Sequence, residues 1–214
     1  DDDQRITATK ELKEMHAAAD YDFLRAECPV AISQALEGID RVAKIVYAMK
    51  DFAHADRGEK CAVDINRVIR SSVTVCRNEW KYVAELVEDL DPSDPTVLGY
   101  SQDLGQVVLN LIVNAAHAIA ERSEEHGARG LITVSSRQEG ECVVVCVQDD
   151  GAGIPEAARP RMFEPFFTTK TVGKGTGQGL ALSHRIVTQR HGGSISFATE
   201  TGTGTVFRVE LPLG

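Results

Sequence analysis

Leu131-Ile-Thr-Val-Ser-Ser-Arg137 and Cys142-Val-Val-Val-Cys-Val-Gln148, joined by Gln138-Glu139-Gly140-Glu141, decide the fold of this chain. Both segments alternate or run apolar and are rich in β-branched residues, and the polar joint carries a glycine. That is the pattern of a β-hairpin. Upstream of it, an apolar-periodic run from Ser101 to about Arg122 predicts a long helix with Ser101 as N-cap. Downstream, Gly151 to Gly179 is dense in glycine and reads as loop, and Gln178 to His191 reads as helix. Ser194–Ala198 and Thr205–Leu211 predict a second hairpin that turns at Thr201-Gly202-Thr203-Gly204. Further upstream the pattern gives a short strand at Cys61–Ile65, one helix at Asn66–Trp80 and a strand at Tyr82–Leu90. The turn Asp91-Pro92-Ser93-Asp94-Pro95 and a short strand at Val97–Tyr100 follow. The expected class is α+β, a two-layer sandwich of a mixed sheet with helices on one face.

Residues 1–56 have a different texture. Ile32, Leu36, Ile39, Ala43, Val46, Met49 and Ala53 recur in steps of three and four, with Arg41, Lys44 and Lys50 on the other face. That spacing predicts an amphipathic helix with a coiled-coil-like seam. Residues 4–27 also read as helical, with a break near Ala19-Asp20, and Pro29 suits the first turn of the long helix. A helix with one apolar stripe needs a partner. The expectation is an α-helical hairpin that dimerises into a bundle, followed by a linker at Ala55-Asp56-Arg57-Gly58 and a second domain over 57–214.

The chain has 214 residues, 43% of them apolar, and a formal net charge of -9. An acidic chain lacks the basic footprint of a general nucleic-acid binder. Its apolar stretches are short, as at Val143–Val147, against about 20 residues for a membrane span. The expectation is a soluble, cytoplasmic piece without membrane contact, whose longer parent has room for a membrane sensor. Five scattered cysteines form no CxxC pair, and Cys142 and Cys146 read as small buried apolar residues of a reducing compartment. Between Arg159 and Arg190, Arg159, Arg161, Lys170, Lys174, Arg185 and Arg190 face one acid, Glu164. A basic, glycine-rich stretch in an acidic chain suits either a small anionic ligand or an ordinary basic surface.

Four signals in the second domain carry chemistry. Asn110-Leu-Ile-Val-Asn114-Ala-Ala-His117-Ala puts two amides four residues apart on one helix face. A carboxamide oxygen is a hard ligand suited to Mg²⁺, and a pair of amides satisfied by backbone is the competing reading. Asp149-Asp150-Gly151-Ala152-Gly153-Ile154-Pro155 follows an apolar strand. An acid there can accept from an exocyclic amine while glycines let a flat ring approach, although Asp-Gly also favours a plain turn. Phe163-Glu164-Pro165-Phe166-Phe167-Thr168-Thr169-Lys170 can anchor a loop, with Phe163 and Phe166 read as core packing. Gly173-Lys174-Gly175-Thr176-Gly177-Gln178-Gly179-Leu180 runs straight into a helix, which suits an anion site of free backbone amides. Its spacing is neither that of the P-loop nor that of the dinucleotide fingerprint.

In order and spacing, these signals resemble the N, G1, F and G2 boxes of the histidine kinase catalytic domain. That family shares its fold with the ATPase domains of DNA gyrase, mismatch-repair proteins and heat-shock chaperones. The resemblance runs from about Cys61 to the C-terminus, and Ala31–Phe52 looks like the second helix of the family's dimerisation domain. It implies ATP and Mg²⁺ as cofactors, a homodimer, and a response-regulator receiver domain as partner. By the same resemblance Asn114 holds Mg²⁺ and Asn110 supports the phosphate–metal cluster. His117 stands where many relatives have a phosphate-contacting lysine. Asp149 takes the adenine amino group, with Gly151, Gly153 and Ile154 beside the ring and Thr205 reaching the base through water. Gly175, Thr176, Gly177, Gln178, Gly179 and Leu180 close over the phosphates, which Lys170 and Lys174 neutralise. Asn110, His117 and Lys170 are the implied catalytic set.

Relatives that hydrolyse ATP carry a glutamate where Asn110 stands. An amide cannot act as general base, so phosphoryl transfer to a histidine is the expected reaction. The family's acceptor pattern, His-Glu followed after four residues by proline, is absent. His16 lacks the following acid, His54 reads as a linker residue, and His126, His184 and His191 fall in the second domain. The expectation is a kinase whose acceptor lies upstream of Asp1. The alternatives are a non-catalytic ATP-sensing module and a gyrase-like ATPase.

Overall fold

The computed structural model describes residues 5, 7, 23–36, 59–126, 129–170 and 175–213. The chain divides into two compact units, Asp1–Ala55 and Asp56–Gly214. In the first unit, 23–36 is one continuous helical run with exposed side chains. Pro29 lies inside that run rather than in the first turn of a new helix. A proline there removes one N–H, so one carbonyl a turn earlier lacks its helical donor while the helix continues. The break at Ala19-Asp20, the apolar seam beyond 36 and the linker at 55–58 lie outside the described residues.

The second unit is the expected sandwich. β1 (Cys61–Asp64) pairs antiparallel with β3 (Thr96–Gly99). The main sheet has the order β2-β4-β5-β7-β6. Its strands are β2 (Ala84–Asp89), β4 (Gly130–Glu139), β5 (Cys142–Asp149), β6 (Ser194–Glu200) and β7 (Gly204–Pro212). β2 runs parallel to β4 and every other pair is antiparallel, so the sheet is mixed. The helices are α1 (Ile65–Val75), α2 (Arg77–Trp80), α3 (Ser101–His126) and α4 (Gly179–Arg185), the last continued by a π-helical turn at Ile186–Arg190. The glycine-dense stretch read as loop also contains a 3₁₀ helix, Glu156–Arg161.

Local chemistry explains most element boundaries. The Asp64 carboxylate caps α1 by accepting from the Arg67 N–H at 2.9 Å. The single helix expected to run to Trp80 breaks at Cys76, which leaves helical geometry at φ -89°, ψ 14°. Trp80 Nε1 donates to the Val73 carbonyl at 3.3 Å and so satisfies one acceptor freed by the break. Ser101 opens α3 instead of capping it, since Leu104 N–H already bonds the Tyr100 carbonyl.

The core lies between α1, α3, α4 and one face of the sheet. Leu111, Ile112 and Ile119 of α3 are fully buried against Ile132, Val134, Val143, Val145 and Val147. Each such side chain contributes about 1.5–3 kcal/mol of transfer free energy. α3 is also the one helix among the described residues long and apolar enough to cross a membrane. Its apolar stripe is the centre of this core. Period two sends Val143, Val145, Val147 and Asp149 inward and leaves Cys142 and Cys146 on the helix-free face. Both cysteines are therefore half-buried, not buried, and Cys28 and Cys61 are exposed.

Candidate active site

Helix α3 is the spine of the candidate site. Asn110, Asn114, His117 and Ala118 follow helical spacing over eight residues, about 12 Å of axis, and between them they meet three other segments, with Asn114 and His117 sharing Lys170. At the first position, Asn110 Nδ2 donates to the Gly179 carbonyl at 3.2 Å and to Ser183 Oγ at 3.3 Å. Its Oδ1 accepts from Gln106 Nε2 at 2.9 Å. The amide therefore fastens the first turn of α4 to α3.

One turn on, Asn114 Oδ1 accepts from the Lys170 ammonium at 3.2 Å, and the same Nζ lies 2.8 Å from His117 Nδ1. An ammonium only donates, so His117 Nδ1 accepts and the ring proton sits on Nε2. Burial lowers the Lys170 pKa from its ordinary value, opposed by the Glu121 carboxylate.

At the third position the Asp-Asp-Gly turn lies on α3. Ala152 N–H donates to the Ala118 carbonyl at 3.0 Å, and a side chain at Gly151 would meet the backbone of Ala118. Asp149 is 5% exposed, and its Oδ1 accepts from the Gly151 N–H at 2.9 Å. Burial pushes its pKa up to about 6, while the Gly151 and Thr205 amides hold it back. The neighbouring acid has a different task. Asp150 accepts from the Leu131 N–H at 2.8 Å and from Arg122 at 3.1 Å, and Arg122 also donates to the Asp150 carbonyl. The two acids thus divide between the interior and the scaffold.

Thr205, buried, pairs with Asp149 across β5 and β7 and shares a 3.0 Å hydrogen bond with Thr199 Oγ1. Thr199 Oγ1 also accepts from the Ile154 N–H at 2.9 Å. Gly153 has φ +70° and packs on the Glu200 carbonyl, so its room is filled by the β6–β7 turn of this chain. Among the glycines of the last signal, Gly177 has φ +65° and its carbonyl accepts from the Phe166 N–H at 2.8 Å. Gly175 lies beside Thr168 and Lys170, Thr176 Oγ1 accepts weakly from the Gln178 N–H at 3.4 Å, and Leu180 packs against the core. Lys174 lies outside the described residues.

Phe163 packs as expected, with its ring 5.1 Å from His184 and 5.9 Å from Phe197. Phe166 does not. It is 73% exposed at φ +66°, because its backbone is committed to the bond with Gly177 and the side chain is left pointing to solvent. Arg122, Ser183 and Thr199 support the site but were not singled out from sequence. Their partners are 28, 73 and 45 residues away, so no local spacing marks them. Among the described residues, no three His, Cys, Asp or Glu side chains cluster as a metal cage.

A mixed-sheet sandwich with amides along its spine helix, a buried acid at a strand end and a glycine-laced entry to α4 defines a nucleotide-binding ATPase-type domain. The chain belongs to the family described as Histidine kinase-, DNA gyrase B-, and HSP90-like ATPase, whose model matches residues 99–214. It is 37% identical over 182 residues to the sensory histidine kinase/phosphatase NtrB of Azospirillum brasilense, covering 81% of this chain and 44% of that protein. It is 34% identical over 175 residues to the sensor histidine kinase ZraS of Escherichia coli (strain K12), covering 81% and 36%. The chain thus spans less than half the length of these curated relatives. Among solved structures, a nucleotide-free form of the catalytic domain of histidine kinase ThkA superposes with a TM-score of 0.62. The identity is 30%, and the match covers 73% of this chain and 97% of that one.

Proposed function

We propose that residues 57–214 are the ATP-binding catalytic domain of a two-component protein histidine kinase and that 1–56 are part of its dimerisation region. The observation that carries this reading is the common face of α3. One helix side meets the buried acid's loop, the lysine from the aromatic signal and the glycine-laced start of α4. Kinship with sensor histidine kinases selects the reaction, and Asn110 agrees with it. Its amide has no basic lone pair with which to activate water.

The residues present fit ATP and Mg²⁺. Asn114 Oδ1 already faces a cation, the Lys170 ammonium, and a single hard oxygen suits an ion that keeps several waters and bridges phosphates. When bound, Mg²⁺ supplies neutralisation of phosphate charge. Asp149 accepts from the adenine amine, and Thr205, hydrogen-bonded to Thr199, lies next to it. Asn110 keeps α4 against α3, so that Gly177, Gln178 and Gly179 present their amides at the phosphates. The acceptor histidine belongs to the longer parent, which works in the cytoplasm, dimerises through its helical region and passes the phosphoryl group to a receiver domain.

Calorimetric titration of the chain with ATP, with and without Mg²⁺, tests the site. Labelled ATP offered to the full-length parent tests the reaction, because a histidine kinase gains acid-labile, base-stable phosphate. A parent that binds ATP yet gains none is the non-catalytic ATP-sensing module. Steady phosphate release from the chain alone identifies a gyrase-like ATPase.

A further inference from the structure

Lys170 and Asn114 are 56 residues apart in sequence, and the lysine reaches back to α3 at the oxygen assigned above to the metal. The ammonium is largely shielded from solvent, so its amide and imidazole partners replace much of its hydration. His117, one turn beyond Asn114, offers this ammonium a lone pair and not a charge, since its Nδ1 accepts. Helix α3 therefore brings two acceptors and no cation to the centre of the site. The positive charge comes from the segment that ends the aromatic signal.

Resting on the nucleotide reading above, we propose that Lys170 is a tethered surrogate for the metal. Its ammonium holds Asn114 Oδ1 until Mg²⁺ takes that oxygen, and it then serves the phosphates as the cation that His117 does not supply. Two consequences follow from charge alone. Without metal, Lys170 is the counter-ion that the described residues bring to Asn114, so nucleotide affinity depends on it. With metal, Lys170 must leave Asn114 Oδ1, so it opposes metal entry while it favours phosphate. Removing it weakens metal-free binding and enlarges the gain that Mg²⁺ brings. A residue that merely holds the fold would change both affinities together.

The test measures ATP affinity of the 214-residue chain in EDTA and in saturating Mg²⁺, for wild type, Lys170→Met and Lys170→Met/His117→Lys. In Lys170→Met, metal-free affinity falls roughly tenfold or more, as for loss of one charge-assisted contact. The ratio of metal-free to Mg²⁺ dissociation constants rises roughly fivefold or more. In the double variant the cation returns from the helix side, and metal-free affinity recovers most of the loss. An unchanged or smaller ratio in Lys170→Met, or no recovery in the double variant with its circular dichroism intact, overturns the surrogate role. Failure of the wild-type chain to bind ATP or ADP under either condition overturns the nucleotide reading instead.

Discussion

Replacing Asp149 with asparagine should make this domain more stable at neutral pH and cost it its nucleotide. The carboxyl is 5% exposed, and burial moves its pKa from 3.8 to about 6. The folded state therefore holds the proton more tightly than the unfolded chain does. Stability contributed by this group is full below about pH 3.8 and is lost as pH rises through about 6. Two pKa units correspond to about 3 kcal/mol, the most that ionising this side chain can cost the fold. About 2 kcal/mol of that falls between pH 4.5 and 7.5 on the linkage relation. Asparagine ionises nowhere and escapes this cost. It keeps an oxygen for the Gly151 N–H but turns an NH₂ toward the Thr205 amide that the carboxylate accepts from. That mismatch costs about 1–2 kcal/mol. The variant is thus less stable than wild type near pH 4.5 and more stable, by about 1–2 kcal/mol, at pH 7.5.

Urea unfolding of both proteins across that range gives the difference directly. His191, whose pKa burial lowers, destabilises both proteins equally as pH falls, and it cancels in the comparison. ATP titration at pH 7.5 completes the experiment, with affinity reduced roughly a hundredfold or more because the acceptor for the adenine amine has become a donor. A stability difference that stays flat with pH refutes the desolvated carboxylate. Unaltered ATP affinity refutes the adenine assignment.

Three further outcomes follow from named contacts. Gly153→Ala forces a side chain into φ +70° against the Glu200 carbonyl, and its thermal midpoint should fall by the equivalent of about 2 kcal/mol or more. Arg122→Met leaves the Asp150 carboxylate with the Leu131 N–H but removes the guanidinium from both that carboxylate and the Asp150 carbonyl, a loss of about 1–2 kcal/mol in urea unfolding, because that pair is only partly buried. His191→Phe removes the acceptor of the Tyr100 N–H at 3.0 Å and the partner of the Ile186 carbonyl at 2.9 Å. It should destabilise by about 2–4 kcal/mol and remove the loss of stability that accompanies His191 protonation below its ordinary pKa of 6.5.

How far the sequence was legible depended on the distance over which each feature is determined. Strand parity is local. Val143, Val145 and Val147 point inward, so Asp149 must also point inward and Asp150 cannot, which separates buried acid from scaffold acid within one dipeptide. The helix-face spacing of Asn110 and Asn114 is equally local, and α3 carries it as expected. Hydrophobicity misled at Phe166, because a backbone bond across the glycine-laced stretch outweighed the benefit of burying one ring. The largest omission was Asn66. It is fully buried, donates to the Asp91 carbonyl at 2.8 Å and to Asp94 at 2.7 Å, and accepts from Ser136 at 2.6 Å. Those partners come from the turn after β2 and from β4, so nothing near Asn66 announces the network.

Asn110 shows why site and scaffold cannot be read apart here. In the proposed ligand site it argues against hydrolysis, because it is not a glutamate. As a scaffold residue it donates twice to the start of α4 and accepts once from Gln106. A glutamate at this position would bring the missing base but would set a carboxylate against the Gly179 carbonyl, leaving a partly buried acceptor facing an acceptor. The amide is therefore required twice, once for the chemistry it withholds and once for the helix it holds. If the proposed phosphoryl transfer is right, changing this domain to hydrolysis would need a second substitution at the start of α4 to supply the donor that Asn110 now provides. On the proposed function, the choice of reaction is thus bound to the packing of α4 on α3, which also sets where Gly177 and Gly179 stand.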